Sequence, residues 1–292
     1  MRKIKTAIIG TGNIGSDLLV KIQRSKYLEC SIFTGRNLES PGSQFAMDRG
    51  VTVSDKSIDA LIENPDCYEI VFDSTSAASH LKHAPILKSL NKFTLDLTPA
   101  KVGIMCIPVI NMEDALHEKN VNLVTCGGQA TIPIAYAIAQ VHPEATYIET
   151  VSTIASKSAG IGTRNNVDEF TQTTKDAVGF FTKVKHTKSL IVMNPAEPPI
   201  NMRSTVYALI PEPNMELISK NVKKIAEKAR KYVPGYELIL GPLYENGRVT
   251  TTIEVTGLGD YLPSYAGNLD ITTCAALNVA EEYAKKLINE GK

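Results

Sequence analysis

The N-terminal stretch restricts the fold most strongly, because it joins an apolar strand to a glycine-rich turn and a helix. Ile4–Ile9 is predicted to be the strand, and the helix is predicted to end near Ile22. The turn between them is Gly10-Thr11-Gly12-Asn13-Ile14-Gly15. Its first glycine permits a tight turn, its second lets a pyrophosphate approach the backbone, and its third packs the helix on the strand. Placed after a strand, the motif predicts a dinucleotide-binding site; a glycine-rich turn without a ligand is the alternative.

Apolar strands and helices alternate from residue 4 to residue 125, and this alternation predicts a doubly wound parallel sheet. The pattern changes after residue 141, where apolar and polar residues alternate along three segments: Tyr147–Ile154, Met202–Leu209 and Arg248–Thr256. Such strands are typical of a mostly antiparallel sheet with one covered face. Two predicted helices, Val167–Val178 and Met215–Lys231, would cover that face.

The predicted fold class is therefore α/β, with an N-terminal Rossmann-like doubly wound sheet and a C-terminal α+β domain with a mostly antiparallel sheet. The length of 292 residues is that of about two domains. We predict a dinucleotide-binding domain over residues 1–130 and a catalytic and oligomerisation domain over residues 131–268. A closing amphipathic helix, Leu269–Leu287, is predicted to dock back on the first domain as part of residues 269–292.

The end of the second predicted strand, Leu28–Phe33, bears on the choice of cofactor. Dinucleotide folds usually place Asp or Glu there, to bind the ribose 2′-hydroxyl of NAD. This chain has Thr34-Gly35-Arg36-Asn37 instead. Asn37 can still bond to a hydroxyl, whereas Arg36 can pair with a 2′-phosphate; a solvated Arg36 is the alternative. The residues therefore leave the choice between NAD and NADP open.

One cysteine has the position of a nucleophile. Val121–Val124 is predicted to be a buried strand that delivers Cys126 to the turn Gly127-Gly128, and a helix is predicted over Pro133–Val141. A thiol that faces the first turn of a helix is close to unpaired N–H groups and to the positive end of the helix dipole, and both favour the thiolate. Cys126 is therefore the candidate catalytic residue for attack on a carbonyl, with amides to bind the oxyanion; an inert buried cysteine is the alternative.

Composition and charge limit which cellular compartment and which partners are expected. Five scattered cysteines without a Cys-x-x-Cys pair indicate reduced thiols, as in a cytosol, rather than disulfides or a zinc site, and no metal is predicted. The formal net charge is +0, so no nucleic acid and no membrane surface is an expected partner, and a homodimer is compatible with it. No signal peptide and no run of about 18 apolar residues is evident, so a cytoplasmic protein is expected.

Two further stretches are rich in groups that bind anions or amides. The first follows a predicted strand and is Ser156-Lys157-Ser158-Ala159-Gly160-Ile161-Gly162-Thr163-Arg164-Asn165-Asn166. Asn166 with Glu169 matches a helix N-terminus, and the glycines and donors make the stretch a candidate clamp; a plain loop is the alternative. The second is Ala266-Gly267-Asn268-Leu269-Asp270, where Asn268 or Asp270 can cap the last helix.

These stretches together resemble the acylating acetaldehyde dehydrogenases, the NAD- and coenzyme-A-dependent partners of 4-hydroxy-2-oxovalerate aldolase. The resemblance spans essentially the whole chain, and the Thr-Cys-Gly-Gly-Gln-Ala-Thr stretch at residues 125–131 is specific. The matching segments are Gly10–Gly15, Val124–Pro133, Ser156–Phe170, Asn194–Pro199 and Ala266–Ile271.

The resemblance implies roles for particular residues. The family's catalytic cysteine, which carries the acyl thioester, falls on Cys126, and its cofactor-binding glycine loop falls on Thr11–Ile14. A second cofactor-contacting run falls on Ser158–Asn166, and a nicotinamide-side asparagine falls on Asn268. The implied reaction converts a short aldehyde, acetaldehyde or propanal, to acyl-CoA with NAD and coenzyme A. A tunnel to the aldolase, which is also implied, would keep a reactive, volatile aldehyde from solvent.

Two positions depart from the family's pattern. Family members usually have Asp at position 37 and an apolar residue at position 36, so a strict preference for NAD does not carry over to Asn37 and Arg36. A family Asp proposed to assist proton transfer falls on Ser204, which has no carboxylate to act as a base. Either water takes that role here, or the carbonyl substrate and the rate differ.

Two rival functions stay open. A phosphate-using semialdehyde dehydrogenase has the same architecture and cysteine chemistry, but such enzymes normally pair the cysteine with a histidine. No histidine falls in a motif beside Cys126, and each of the five is expected to be a surface or core residue: His80, His83, His117, His142 and His186. The other rival is a non-catalytic dinucleotide-binding regulator in which Cys126 is structural or a redox sensor.

Overall fold

The computed structural model describes residues 2–160, 164 and 167–291. The chain divides into two compact units: unit 1 is Met1–Leu123 with Thr273–Lys292, and unit 2 is Val124–Thr272. Unit 1 contains a parallel sheet with helices, and unit 2 contains a largely antiparallel sheet with helices. The predicted α/β fold class is therefore confirmed. Among the described helices, none is both long enough and apolar enough to cross a membrane.

Unit 1 is built on a seven-stranded parallel sheet. Its strands are β1 (Ile4–Ile9), β2 (Leu28–Thr34), β3 (Val53–Ser54), β4 (Ile70–Asp73), β5 (Phe93–Asp96), β6 (Ile104–Met105) and β7 (Asn120–Asn122). They lie in the order β3-β2-β1-β4-β5-β7-β6. The residues of β4 and β5 are all buried, as expected for central parallel strands that are covered on both faces. The helices between the strands are α1 (Asn13–Arg24), α2 (Pro41–Met47), α3 (Ile58–Glu63), α4 (Ala77–Ser89) and α5 (Pro108–Ala115).

Unit 2 is built on a five-stranded sheet. Its strands are β8 (Tyr147–Ala155), β9 (His186–Asn194), β10 (Met202–Leu209), β11 (Tyr236–Glu245) and β12 (Arg248–Val255). In the order β11-β12-β10-β8-β9, the β8–β9 pair is parallel and the other pairs are antiparallel. The predicted alternation is visible in β8, β10 and β12, where every second residue is buried. Strands β9 and β11 alternate less regularly and are not predicted from the sequence.

Helices cover one face of this second sheet and lead back to unit 1. The first three are α6 (Cys126–Val141), α7 (Val167–Thr182) and α8 (Met215–Arg230). Helix α6 packs on β8, β10 and β12, with α7 and α8 beside it. The closing helix α9 (Gly267–Asn289) begins in unit 2 and ends in unit 1. In its unit 1 part, the ring of Tyr283 stacks on Phe93 with centroids 3.8 Å apart.

A buried cluster of acids and histidines joins the carboxyl ends of β4 and β5. Oδ2 of Asp73 accepts hydrogen bonds from Nδ1 of His80 at 2.9 Å and from Nδ1 of His83 at 2.8 Å. Burial by itself would raise the pKa of Asp73, but these bonds outweigh it and hold that pKa well below its usual range. Burial opposes the charge on His80, yet Asp73 and Asp96 raise the pKa of His80 above its ordinary value. Burial raises the pKa of Asp96 to about 6.

Asp73→Asn is expected to lower the free energy of unfolding by about 3 kcal/mol at pH 5, because two buried histidines lose their carboxylate. The depressed pKa of Asp73 gives stability that is present above its unfolded pKa of about 4 and lost as the pH falls. The raised pKa of His80 gives stability that is present below about pH 6.5 and lost as the pH rises through its folded value. Urea unfolding from pH 3 to 8 should show the largest loss between about pH 4 and 6.5.

The matched control for this experiment is Glu63→Gln. It converts another carboxylate of unit 1 to an amide, but the Glu63 carboxylate pairs with Lys56 at 2.7 Å on the exposed surface. Solvent screens such a pair, so the variant is expected to unfold at the urea concentration of the wild type. Equal losses in the two variants, or a loss that does not change with pH, would contradict the assignment of the buried cluster.

Candidate active site

The glycine loop has two crowded glycines and one that faces open space. A Cβ at Gly10, whose φ is +115°, would lie 2.6 Å from Oγ of Ser74, and a Cβ at Gly15 would lie 2.0 Å from the Gly10 oxygen. Both positions therefore require glycine for the fold itself. Gly12 is the N-cap of α1 with φ −85°, and a Cβ there would meet no atom within 4 Å. The loop therefore fits a pyrophosphate, which would occupy the open side of Gly12.

The segment after β2 packs against this loop. A Cβ at Gly35 would lie 2.4 Å from Cγ2 of Thr11, and Oγ of Ser40 lies 3.1 Å from Oγ1 of Thr11. The predicted residues Arg36 and Asn37 between them are exposed. Within unit 1, the structure thus places Arg36 and Asn37, the residues predicted to select the cofactor, close to the glycine loop. The remaining predicted members of the loop begin α1, where Asn13 is exposed and Ile14 is half-buried.

Helix α6 begins at Cys126 and includes both glycines and the proline, so the predicted start at Pro133 is wrong by one and a half to two turns. The reason is a cap: Oγ1 of Thr125 accepts the N–H of Gly128 at 2.9 Å. Oγ1 of Thr125 also lies 2.7 Å from Oγ1 of Thr174. Because Thr174 donates its own hydrogen to the Phe170 oxygen, Thr125 is the donor in that bond. The cap is thereby tied to α7.

Burial controls the protonation of the Cys126 thiol. The side chain is half-buried, and desolvation raises its pKa from 9.0 to about 12. The backbone N–H groups of Gly127 and of Cys126 itself lower that pKa, but by less. Desolvation therefore opposes the predicted ionisation of this sulfur in the free chain. The raised pKa favours the protonated thiol at neutral pH, and the two N–H groups are placed to stabilise negative charge that develops during a reaction.

We therefore expect slow alkylation of Cys126 by iodoacetamide at pH 7 in the free chain. Since the thiolate is the reactive form, the rate should rise about tenfold per pH unit from pH 7 to 10 without levelling off. Mass spectrometry of the labelled peptide measures it, and Cys126→Ser identifies the peptide. A rate that levels off near pH 8 would contradict the raised pKa.

Two stretches that the sequence separates by about a hundred residues meet in unit 2. Nδ2 of Asn268 donates to the Ser158 oxygen at 3.4 Å. Among the described residues, no donor reaches Oδ1 of Asn268, although the side chain is 2% exposed. Arg164 folds back on the same stretch, with Nη2 donating to the Ser156 oxygen at 2.6 Å and Nε to the Ala159 oxygen at 3.1 Å. A buried acceptor without a donor fits a ligand that supplies an N–H.

Part of the predicted cofactor-contacting run lies outside the described residues. Ser158 and Ala159 are buried and Gly160 is exposed. The members on which the structure gives no description are Ile161, Gly162, Thr163, Asn165 and Asn166. The predicted N-cap role of Asn166 is therefore not decided.

Ser204, the position where the family resemblance implies a carboxylate, is buried in β10, and its hydroxyl bonds to that of Ser152 on β8 at 2.9 Å. Oγ of Ser152 would lie 3.2 Å from a Cβ at Gly127, so this hydroxyl pair borders the first turn of α6. Ser152 is not among the site residues predicted from the sequence. The sequence feature that could have indicated Ser152 is the period-two pattern of β8, which places this residue on the face that the helices cover.

Histidines do not supply a base for the thiol among the described contacts. Nε2 of His142, the histidine at the other end of α6, accepts the N–H of Asn214 at 2.8 Å, and its Nδ1 pairs with Glu144 at 2.6 Å. His80 and His83 belong to the buried cluster of unit 1. A cavity of about 400 Å³ also lies in unit 1 and is lined by α4 and residues near β7. None of the predicted site residues lines that cavity.

Known proteins resemble this chain over nearly its whole length. A family model described as "Prokaryotic acetaldehyde dehydrogenase, dimerisation" matches residues 126–263. A relative named acetaldehyde dehydrogenase, from Pectobacterium atrosepticum, is 51% identical over 282 residues, which are 96% of this chain and 95% of the relative. Another of that name, from Spirochaeta aurantia, is 50% identical over 284 residues, which are 97% of this chain and 96% of the relative.

A solved structure extends the comparison to the fold. It is aspartate semialdehyde dehydrogenase II from Vibrio cholerae, complexed with ASA, and it matches with a TM-score of 0.60 over 99% of each chain at 14% identity. At that identity the likeness concerns the fold alone. Because about half of the residues are identical to those of the two relatives over almost the full length, the chain belongs to the acetaldehyde dehydrogenase family.

Proposed function

We propose that the chain oxidises a short aldehyde, acetaldehyde or propanal, to the thioester of coenzyme A, with a nicotinamide dinucleotide as the oxidant. The observation that carries the proposal is the position of Cys126 as the first residue of α6, where the backbone N–H groups of Cys126 and Gly127 lower the pKa of its thiol. It is supported by the family to which the chain belongs. The glycine loop is assigned to the pyrophosphate of the cofactor.

The first turn of α6 supplies both the nucleophile and the hydrogen-bond donors of the proposed reaction. The Cys126 sulfur forms a bond to the aldehyde carbon, and the resulting alkoxide accepts hydrogen bonds from N–H groups of that turn. The bound dinucleotide supplies the hydride acceptor that turns this adduct into an acyl thioester. The thiol of coenzyme A then attacks the acyl carbon and releases Cys126.

The proton of the Cys126 thiol needs an acceptor, because a group with a pKa of about 12 does not release it unaided at neutral pH. We propose that a water passes this proton to bulk solvent while the carbon–sulfur bond forms, so that the negative charge develops on the aldehyde oxygen and not on a free thiolate. The hydroxyls of Ser152 and Ser204 can orient such a water or pass a proton along. Neither hydroxyl can hold the proton as a carboxylate would.

Asn268 is proposed to bind the nicotinamide carboxamide. Its Oδ1 is a buried acceptor that lacks a donor among the described residues, and a carboxamide supplies an NH₂ group. The run Ser158–Asn166 is proposed to contact the same cofactor, since Ser158 is already bonded to Asn268.

Absorbance of the reduced dinucleotide, followed with acetaldehyde, tests the proposal. Turnover should require coenzyme A and should not respond to phosphate. A requirement for phosphate instead would favour the semialdehyde dehydrogenase. Absence of turnover, together with alkylation of Cys126 that is insensitive to the cofactor, would favour the regulator.

We also propose that the chain forms a homodimer through the open face of the unit 2 sheet. The matched family model concerns dimerisation and includes all five strands of this sheet. Leu190 and Val192 of β9 are 38% and 45% exposed, and both lie on the face that the helices leave uncovered. A partnership with 4-hydroxy-2-oxovalerate aldolase is proposed from the family resemblance.

Val192→Glu is expected to shift the homodimer to monomer at micromolar concentration, because it buries a carboxylate without a partner in the interface. Sedimentation equilibrium measures the change. The control is Leu217→Glu, which places the same charge on an equally exposed residue of α8, 47% exposed. Dimers in both variants would contradict the proposed interface.

A further inference from the structure

We propose that the loop after β2 selects a dinucleotide with a phosphate on the adenosine 2′-oxygen, so that this chain prefers NADP to NAD. The inference rests on the proposed function and names its cofactor. It is carried by the placement of Arg36 and Asn37 beside the glycine loop and by the hydrogen-bond donors that these two exposed side chains offer there.

The loop lies where a dinucleotide fold holds the adenosine ribose. Strands β1 and β2 are parallel neighbours in which Ile9 pairs with Thr34, and the N–H of Gly10 bonds to the Thr34 oxygen at 2.9 Å. Both strands therefore end at the same edge of the sheet. Gly35 packs directly on Thr11, since even a Cβ would lie 2.4 Å from its methyl group. The next residues, at 36 and 37, follow the carboxyl end of β2 at the position that reads the 2′-oxygen.

The Asn37 side chain is set up to donate. Its Oδ1 accepts the N–H of Glu39 at 2.8 Å, and its backbone oxygen accepts the hydroxyl of Ser43 at 2.8 Å. These bonds fix the turn and occupy one lone pair of Oδ1, so the two N–H groups of Nδ2 are most of what Asn37 offers to a ligand. A 2′-hydroxyl is normally held by a carboxylate acceptor at this position, whereas a phosphate oxygen needs donors. Asn37 thus suits a phosphate as well as a hydroxyl, and the charge of Arg36 decides between them.

Arg36 supplies the charge. Its side chain is exposed, and among the described residues no carboxylate forms an ion pair with it. A guanidinium presents planar paired N–H donors, which match the oxygens of a phosphate and bind them more strongly than neutral donors do. Such a charge-assisted contact corresponds to about 10- to 100-fold in affinity. A solvent-exposed arginine that does not contact the cofactor would give no such difference in affinity between NADP and NAD.

Equilibrium titration with NADPH and NADH tests the inference without turnover. The fluorescence of the reduced nicotinamide can be followed directly, because it is excited at wavelengths where protein side chains do not absorb. The wild type is expected to bind NADPH about tenfold tighter than NADH, or more. Arg36→Ala should weaken NADPH about 10- to 100-fold and leave NADH within about twofold. Asn37→Asp should weaken NADPH and strengthen NADH, since it restores a carboxylate acceptor.

The matched control is Arg49→Ala, which removes another exposed arginine of unit 1, one whose guanidinium lies 3.8 Å from the Phe45 ring centroid. It should change neither affinity. Equal wild-type affinities, or an Arg36→Ala variant that weakens both cofactors alike, would overturn the NADP preference and leave the proposed function standing. Failure of both reduced cofactors to bind would overturn the two proposals together.

Discussion

Cys126→Ser is expected to reduce turnover with acetaldehyde and coenzyme A by at least about 10⁴-fold, since a serine hydroxyl is a far weaker nucleophile at neutral pH. Binding of the reduced dinucleotide should stay within about twofold. The substitution only replaces the sulfur of Cys126 by oxygen, and this side chain is proposed to react with the aldehyde, not to bind the cofactor. Initial rates and fluorescence titration measure the two effects on the same preparation.

Cys67→Ser is the matched control. Cys67 is another free, half-buried cysteine, but it lies in unit 1. It should retain the wild-type rate. Turnover that survives in Cys126→Ser would refute the nucleophile, and an equal loss in both variants would indicate a general sensitivity to cysteine replacement.

Gly12→Ala is expected to weaken binding of NADPH and NADH by about 100-fold or more while the fold stays intact. The new methyl group meets no atom of the protein within 4 Å, and φ −85° is accessible to alanine. It fills the space that the pyrophosphate would take. Fluorescence titration measures the affinity, and circular dichroism melting measures the stability.

Gly15→Ala is the companion variant with the opposite outcome. Its Cβ would lie 2.0 Å from the Gly10 oxygen, so the backbone must shift, at a cost of about 3 kcal/mol in the free energy of unfolding. The two glycines of one motif thus serve the ligand and the fold separately. Wild-type affinity in Gly12→Ala would place the dinucleotide elsewhere, and wild-type stability in Gly15→Ala would contradict the packing of α1 on the loop.

The Cys126 thiol shows why the effect of the helix N-terminus alone was an insufficient guide to its protonation. A helix end changes the energy of a nearby charge by about 0.3–1 kcal/mol, and by about 2 kcal/mol in favourable geometry. Desolvation raises this pKa from 9.0 to about 12, which corresponds to about 4 kcal/mol. The larger effect comes from atoms packed around the sulfur, and no pattern near residue 126 records them.

Patterns within a few residues were sufficient for much of the fold. The strand, glycine loop and helix over residues 4–24 form because the conformational freedom of glycine and the apolar period act locally. The alternation in β8, β10 and β12 likewise predicted which face would be covered. The absence of an acidic residue at Arg36 and Asn37 was also visible in the sequence, because it concerns only the residue types in one loop.

Contacts between distant segments decided the rest. Sequence alone determined that this chain has a glycine loop of the dinucleotide-binding pattern, a parallel sheet and one cysteine in a motif that resembles that of a specific family. Only the tertiary structure brought Asn268 to Ser158, tied Asp73 to His80 and His83, and set Ser152 beside the first turn of α6. The physical reason is that burial and hydrogen-bond partners depend on which elements pack together. A sequence pattern predicts whether a segment forms a helix or a strand, but it does not predict which other segments pack against it.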